Sequence, residues 1–536
     1  MSDLRSGSSL LLALLPLFPV QEAGEANRGG DWPTWGHDES RNMACEASGL
    51  PTVFKAGEFI GVSDEIDVNT TENVRWIFKL GSQSYGNPTI ANGRVYVGTN
   101  NDAPRDKRFK GDRCVLNCLD EATGELIWQL NVPKLGTGKV SDWEFLGICS
   151  SPTVDGDRVY LVTNRCEVMC LDVNGMADGN QGFADEGLYA AWPEKAALPV
   201  EKHDADILWT LNMIDECGVF PHNITTSAVL VVDDALWVTT SNGVDYGHVE
   251  TPAPFAPCLI KVDKMSGELI GEEASGLSQR IFHSNWTSPA YLRTGEEGNF
   301  IELGLFGGPD GFVYAFDPKP VEDEDGYLIL KERWRCDANR ADYRVLDGKK
   351  LKYATRKGPS EVLSTVISWG GRVYAVIGQD PEHGEGVGRL VCIDPSGSGD
   401  VSGTHVVWSY DGINRSMSTP SIADGLIYVA DYSGFIYCLD ALTGELLWRH
   451  DTMAHIWGST LVADGKVYIG NEDGYLTILP AGRTLDSKKV VEVDMTSPVY
   501  SSPVAANGVL YVATHTHLFA IEAGASVAGK PEKEGK

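Results

Sequence analysis

Asp380, Glu382, His383 and Glu385 crowd the stretch Gln379-Asp380-Pro381-Glu382-His383-Gly384-Glu385-Gly386. Carboxylate oxygens and an imidazole at this density suit a divalent cation, or the giving and taking of a proton. They follow no fixed ligand spacing, and a solvated loop would carry the same residues. A second set is scattered along the chain: Gln83, Tyr85, His222, Asn223, His283, Trp286, Arg415, His455, Trp457 and Tyr500. Its aromatic rings offer stacking faces, Arg415 a fixed positive charge, and its imidazoles and amides hydrogen bonds. That is the chemistry of a pocket for a planar, anionic small molecule. Aromatic rings wedged between packed elements, and histidines satisfying backbone carbonyls, explain the same residues without a ligand. The choice depends on whether the fold gathers them.

Other chemistry is thinner. Asp172, Asn174, Asp178 and Asn180 make an oxygen-rich stretch, but it lacks the spacing and closing Glu of a helix-loop-helix calcium site. It reads as a turn-rich insertion. His515 and His517 alternate along a strand, where packing or exposure accounts for them. No P-loop, dinucleotide-binding glycine pattern or nucleophile elbow stands in a supporting context. There are 11 Cys and no C-x-x-C pair. Cys118, Cys170, Cys392 and Cys438 each precede Leu-Asp or Ile-Asp. A shared position on the packed face of a strand makes them small buried apolar residues. A disulfide involving Cys45 or Cys217 stays open.

What must position these residues is a repeat. Ser151-Pro152-Thr153 leads to Gly156, Val159-Tyr160 and Cys170-Leu171-Asp172. Thr419-Pro420-Ser421 leads to Gly425, Ile427-Tyr428, Cys438-Leu439-Asp440, Thr443-Gly444-Glu445 and Trp448. Variants return at roughly 40–60 residues, the spacing of propeller blades. Each phrase supplies four short, β-branched and aromatic strands punctuated by Gly, as an all-β array requires. First strands fall near Pro88, Pro152, Ala228, Pro289, Thr365, Pro420, Thr460 and Pro503. The fourth strand carries Trp128, Trp209, Trp334, Trp408 or Trp448, and Ile270 stands in for it in the third blade. The last phrase stops at Ala520-Ile521-Glu522, while a stray copy of the Trp strand, Val74-Arg75-Trp76-Ile77-Phe78, precedes the first. Chain ends sharing one blade would close the ring and remove its exposed edges. The expected fold is all-β: an eight-bladed β-propeller of four-stranded blades, closed by an N-terminal strand.

In such a ring the first strand lines the axis, so insertions sort by face. One face receives residues 99–112, 131–147, 242–257, 337–362 and 378–388. The other receives mainly 173–206 and 318–332. A site is expected on the crowded face, where loops ride on a rigid scaffold. The residues three before each Pro-equivalent are Tyr85, Cys149, Thr225, Trp286, Val362, Met417, Trp457 and Tyr500. They should converge on the axial mouth, with His222, His283 and the 380–385 loop at its rim.

The chain has 536 residues and a formal net charge of -31. That argues against nucleic acid, which needs a basic footprint. Residues 1–26 hold one Arg, a short Leu-rich run and small residues, the pattern of an export signal. The run is too short to span a bilayer, and nothing later is long enough. The expected division is signal 1–26, lead-in 27–72, propeller 73–523 and disordered tail 524–536. The mature chain would be periplasmic or otherwise extracytoplasmic.

The Ser-Pro opening, the Gly-x-Val-Tyr run and Leu-Asp-x-x-Thr-Gly-Glu-x-x-Trp resemble the pyrroloquinoline-quinone-type repeat family of β-propellers. The lead-in Asp31-Trp32-Pro33-Thr34-Trp35-Gly36 looks like that family's N-terminal segment. The resemblance implies one of two functions. One is that of BamB-like scaffolds, which bind envelope proteins without a cofactor. The other is that of alcohol or sugar dehydrogenases using pyrroloquinoline quinone (PQQ) and calcium. The dehydrogenases carry adjacent cysteines, which this chain lacks, and their calcium ligands and catalytic Asp have no matching motif here. No cofactor is firmly expected, and the scaffold reading leads.

Overall fold

Tight turns set the hairpins. Asn92-Gly93, Asp424-Gly425, Asp464-Gly465 and Asn507-Gly508 each place both residues at positive φ. That is the backbone of two-residue turns whose twist matches the strands they join. A computed structural model, describing residues 28–194, 196–296 and 299–528, shows where those hairpins go. Eight antiparallel blades form a β-propeller, and the described residues include three short α-helices. The first blade orders Thr89–Ala91, Arg94–Asn100, Arg113–Asp120 and Leu126–Pro133 from one edge to the other. The last blade is made from both ends of the propeller. Val504–Ala506, Val509–Ala513 and His517–Ile521 are completed by Val74–Lys79, which pairs Trp76 with Ala520 and Lys79 with His517.

The repeat records how neighbouring blades meet. The turn Gly of one blade lies under the fourth-strand Trp of the blade before it. A Cβ on Gly124 would come within 2.6 Å of Trp76, and one on Gly444 within 2.4 Å of Trp408. The same indoles donate Nε1–H to backbone carbonyls across the seam: Trp76 to Glu121, Trp128 to Val173, Trp408 to Ala441 and Trp448 to Gly482. Within a blade, Cys118 pairs across the sheet with Tyr96 on one side and Trp128 on the other. Cys438 pairs likewise with Tyr428 and Trp448. Two large rings flank the column, which leaves room for a small side chain between them. Cys118, Cys170, Cys392 and Cys438 are buried, and all eleven cysteines, Cys45 and Cys217 included, are free.

The lead-in winds beneath the ring. Its backbone bonds in turn to Asn507, Ile90, Val154, Tyr291, Ser368 and Val462, each on or beside the first hairpin of a different blade. At the centre, Arg41 is fully buried. Its guanidinium donates to the carbonyls of Pro289, Trp35, Ala228 and Val229 and to the Thr34 hydroxyl. Burial lowers its pKa to about 9. The Trp35 indole above it donates to Thr365 Oγ1 at 3.1 Å. Together they close one end of the axis.

The 173–206 insertion runs back along the first blade, where Gln129 bridges to Asp204 and Arg108 of the 99–112 loop pairs with the same residue. Residues 318–332 fold back as a small hairpin that extends the third blade, pairing Glu272 with Ile329. Among the described residues no helix is long and apolar enough to cross a membrane. The expected export signal and most of the expected tail lie outside the described residues.

Candidate functional site

The segment leading into each of the eight inner strands brings one residue to the axis. The column is Tyr85, Cys149, Thr226, Trp286, Leu363, Met417, Trp457 and Tyr500. This corrects the expected column at two places. Thr225 and Val362 are buried, and Thr226 and Leu363 face the axis instead. Those two blades lack the Pro that marks the frame, and a one-residue slip swaps the faces of a strand. Below the column lies a polar ring, with Asn87, Ser151, Ser288, Thr365, Thr419, Ser459 and Ser502, and Trp35 at the floor. The upper chamber encloses about 450 Å³, and Gln83, Trp143, Asn223, Asp380 and Glu382 join its wall. The cavity is blind below and open on the face that carries the long loops.

Three aromatic rings form a continuous arc. Trp457 stacks on Tyr500 at 4.9 Å between centroids, and Tyr85 meets Tyr500 at 5.5 Å. His515 closes edge-on against Tyr500 at 4.3 Å, so His515 and His517 do not act together. His517 lies buried against Phe59 and Phe519. Trp286 stands four blades away, its Nε1–H donating to the carbonyls of His222 and Ile224. Neither Trp286 nor Trp457 is fully buried between blades.

The charge of the mouth differs from expectation. Among the described residues the cavity lining contains no Lys or Arg, whereas Asp380 and Glu382 are part of it. Glu472 accepts the Trp457 indole N–H at 3.1 Å. Desolvation, then neighbours that include Glu382 and Glu472, push both Tyr85 and Tyr500 above the usual phenol range. Arg415 sits outside the lining. Its guanidinium binds the Gly384 carbonyl and lies 4.9 Å over the Tyr432 ring. His455 stacks on the opposite partner of that arrangement, 4.2 Å from Tyr432, and is exposed. Arg415 and His455 therefore brace the rim and do not line the cavity. A small anionic ligand, the expected occupant, meets carboxylates here. PQQ is a polycarboxylate, and its fit fails for the same reason. Calcium needs six or more oxygen ligands. Of the mouth carboxylates, Asp380 already accepts a hydrogen bond from His383. Cys149, in the wall, is no ready nucleophile, because burial pushes its thiol up to about 12.

The four residues expected to share a metal are split. Glu382 turns to the axial mouth, and Glu385 is exposed. Asp380 and His383 instead join a cluster of histidines behind Trp286. His222, His248 and His283 bring ligand atoms within 4.8 Å of one another, as do His283, Asp380 and His383. His222 and His283 are fully buried. Desolvation lowers His222 to about 4 and lowers His283 and His248 too. Sequence reasoning missed His248. It sits in the 242–257 insertion, and only that loop's fold carries it over His283. Behind the cluster, Glu361 is fully buried and accepts the Tyr353 hydroxyl. Burial pushes its carboxyl well above the usual range.

Residues 380–521 match the family model described as outer membrane protein assembly factor BamB. Among solved structures, BamB from Moraxella catarrhalis is similar at 12% identity and a TM-score of 0.50, over 83% of this chain and 99% of that one. A europium-containing methanol dehydrogenase aligns at 12% identity and a TM-score of 0.43, over 90% and 89%. The quinohemoprotein alcohol dehydrogenase of Comamonas testosteroni does so at 12% and 0.40, over 95% and 83%. At such identity the likeness shows the fold alone. No curated protein matches the chain. With its repeated Gly–Trp seams, this chain is an eight-bladed β-propeller, and over residues 380–521 it is similar to the family of the outer membrane protein assembly factor BamB.

Proposed function

We propose that this chain is an exported, non-catalytic binding propeller of the cell envelope, and that its axial mouth receives a cationic group of its partner. The observation that carries the reading is the lining itself: Tyr85, Trp286, Trp457 and Tyr500 surround a blind cavity that has Asp380 and Glu382 in its wall and no basic residue among the described lining. Aromatic faces with nearby carboxylates recognise ammonium and guanidinium groups through cation–π attraction. The net charge of -31 would draw a basic partner from a distance. The signal-like N-terminus and the match to an outer membrane assembly factor over residues 380–521 support the envelope setting. The quinone-dependent dehydrogenase is the weaker reading, because the lining offers a polycarboxylate no counter-charge.

Titration of the tryptophan fluorescence tests this. Tetramethylammonium and a lysine-rich peptide should each give saturable quenching, weakened by added salt. Trp457→Ala should abolish it and Glu382→Gln should weaken it several-fold. An acidic peptide and PQQ should leave the signal unchanged. Saturable binding of the quinone, or no response to either cation, overturns the proposal.

A further inference from the structure

The geometry points to a transition-metal site of three imidazole nitrogens, His222 Nε2, His248 Nε2 and His283 Nε2, with Asp380 as the carboxylate behind His283. Its three imidazoles lie behind Trp286, outside the axial lining, and Asp380 alone is shared with the mouth.

Each ring is already turned for the task. His222 donates Nδ1–H to the Val244 carbonyl at 2.7 Å, which leaves its lone pair on Nε2. That Nε2 is buried without a hydrogen-bond partner. A buried polar atom left unpaired is costly, so a ring held this way calls for a ligand. His248 and His283 point their Nε2 atoms at each other, 3.0 Å apart. Two nitrogens bound to one ion at about 2.0–2.1 Å each would stand close to that separation. The His283 Nδ1, also without a hydrogen-bond partner, lies 3.8 Å from Asp380 Oδ2. A slight closure gives the carboxylate–histidine–metal arrangement, in which the outer group fixes the tautomer and orients the ring. Asp380 is held for this by accepting from the Glu382 backbone N–H at 2.9 Å and from His383 Nδ1. His383 stands 4.3 Å from His283 and 4.4 Å from His248 between ring centroids, the nearest further nitrogen donor.

The donor set selects the ion. All-imidazole ligation suits zinc, nickel or copper, and disfavours calcium and magnesium, which take oxygen. The loop that carries His248 is built in advance: Asp245 accepts from the backbone N–H of Val249 and Glu250, and its carbonyl from that of His248. Three blades supply the set, since His222 and His248 flank strands of the third, His283 leads into the fourth and Asp380 belongs to the fifth. A bound ion would therefore tie neighbouring blades together on the open face.

The test uses the full chain stripped with a chelator. Titration with Zn²⁺ by calorimetry should find one ion per chain, and Co²⁺ should give the visible bands of a nitrogen-ligated ion. His248→Ala, at an exposed position, should weaken zinc at least ~10-fold. His283→Gln should remove it, Asp380→Asn should weaken it about 10–100-fold, and His203→Ala, far along the chain, should change nothing. Absence of stoichiometric zinc binding overturns the assignment. So does binding that survives undiminished in both His248→Ala and His283→Gln, or that falls equally in His203→Ala.

Discussion

The Trp286 indole meets the His283 imidazole edge-on, with 4.9 Å between ring centroids. One side chain therefore separates two environments: an acidic, aromatic mouth on the axis and a neutral histidine cluster behind it. Trp286 also donates to the His222 carbonyl, so the wall is anchored to the cluster it screens.

That anchoring is measurable. Trp286→Phe keeps a ring in the wall but leaves the His222 and Ile224 carbonyls without their donor. A loss of about 1 kcal/mol in urea unfolding is expected, with the fold intact by circular dichroism.

Arg41 should matter more than any other residue of the lead-in. Arg41→Ala strips the donor from four carbonyls and the Thr34 hydroxyl at the closed end of the axis. The expected cost is about 3–5 kcal/mol. Arg41→Lys should recover little, because an ammonium cannot span the same fork of acceptors. Chemical denaturation of the three proteins checks both.

Removing residues 28–80 reopens the last blade, exposing the edge of His517–Ile521. Thermal unfolding should fall and broaden, and the shortened chain should self-associate, because an unpaired edge invites another strand. Trp76→Ala within that strand should alone cost about 3–5 kcal/mol.

Thiol labelling distinguishes the column cysteines. Burial pushes Cys118 and Cys438 up to about 12, and Cys170 and Cys392 up to about 11. In native protein at pH 8 these four should stay unlabelled over hours, then react fully in denaturant. Mass mapping of the labelled positions reads the result.

Acid should loosen the closing blade. His517 is 3% exposed, and desolvation, aided by Lys79, lowers it to about 4. A histidine depressed in the fold takes up its proton more readily when unfolded, so stability falls as pH drops from 6.5 towards 4. For this one group the loss should be on the order of 2–3 kcal/mol. His517→Gln should flatten that part of the pH–stability curve.

The repeat was fully legible in one dimension. Gly124 and Trp128, or Gly444 and Trp448, recur four residues apart because the Gly seats the Trp of the blade before and the Trp meets the blade after, and local fit writes itself into local spacing. The orphan Trp strand at 74–79 followed from the same count, since a ring without it would keep an open edge. The frame failed only where Pro was missing, so Thr226 and Leu363 took the axial places assigned to Thr225 and Val362. The aromatic column was legible for the same periodic reason.

The charge of the cavity and the histidine cluster were decided by tertiary structure. Arg415 looked like the positive group of a pocket, but its side chain lies over Tyr432 and binds Gly384, a placement set by a loop that is not part of the repeat. His222, His248, His283 and His383 stand far apart in the chain and share no spacing. They meet because three blades abut and two long loops fold towards one another above the seam. Sequence periodicity determines the scaffold, whose contacts repeat. The site is built from insertions, whose contacts occur once, and only the folded ring brings them together.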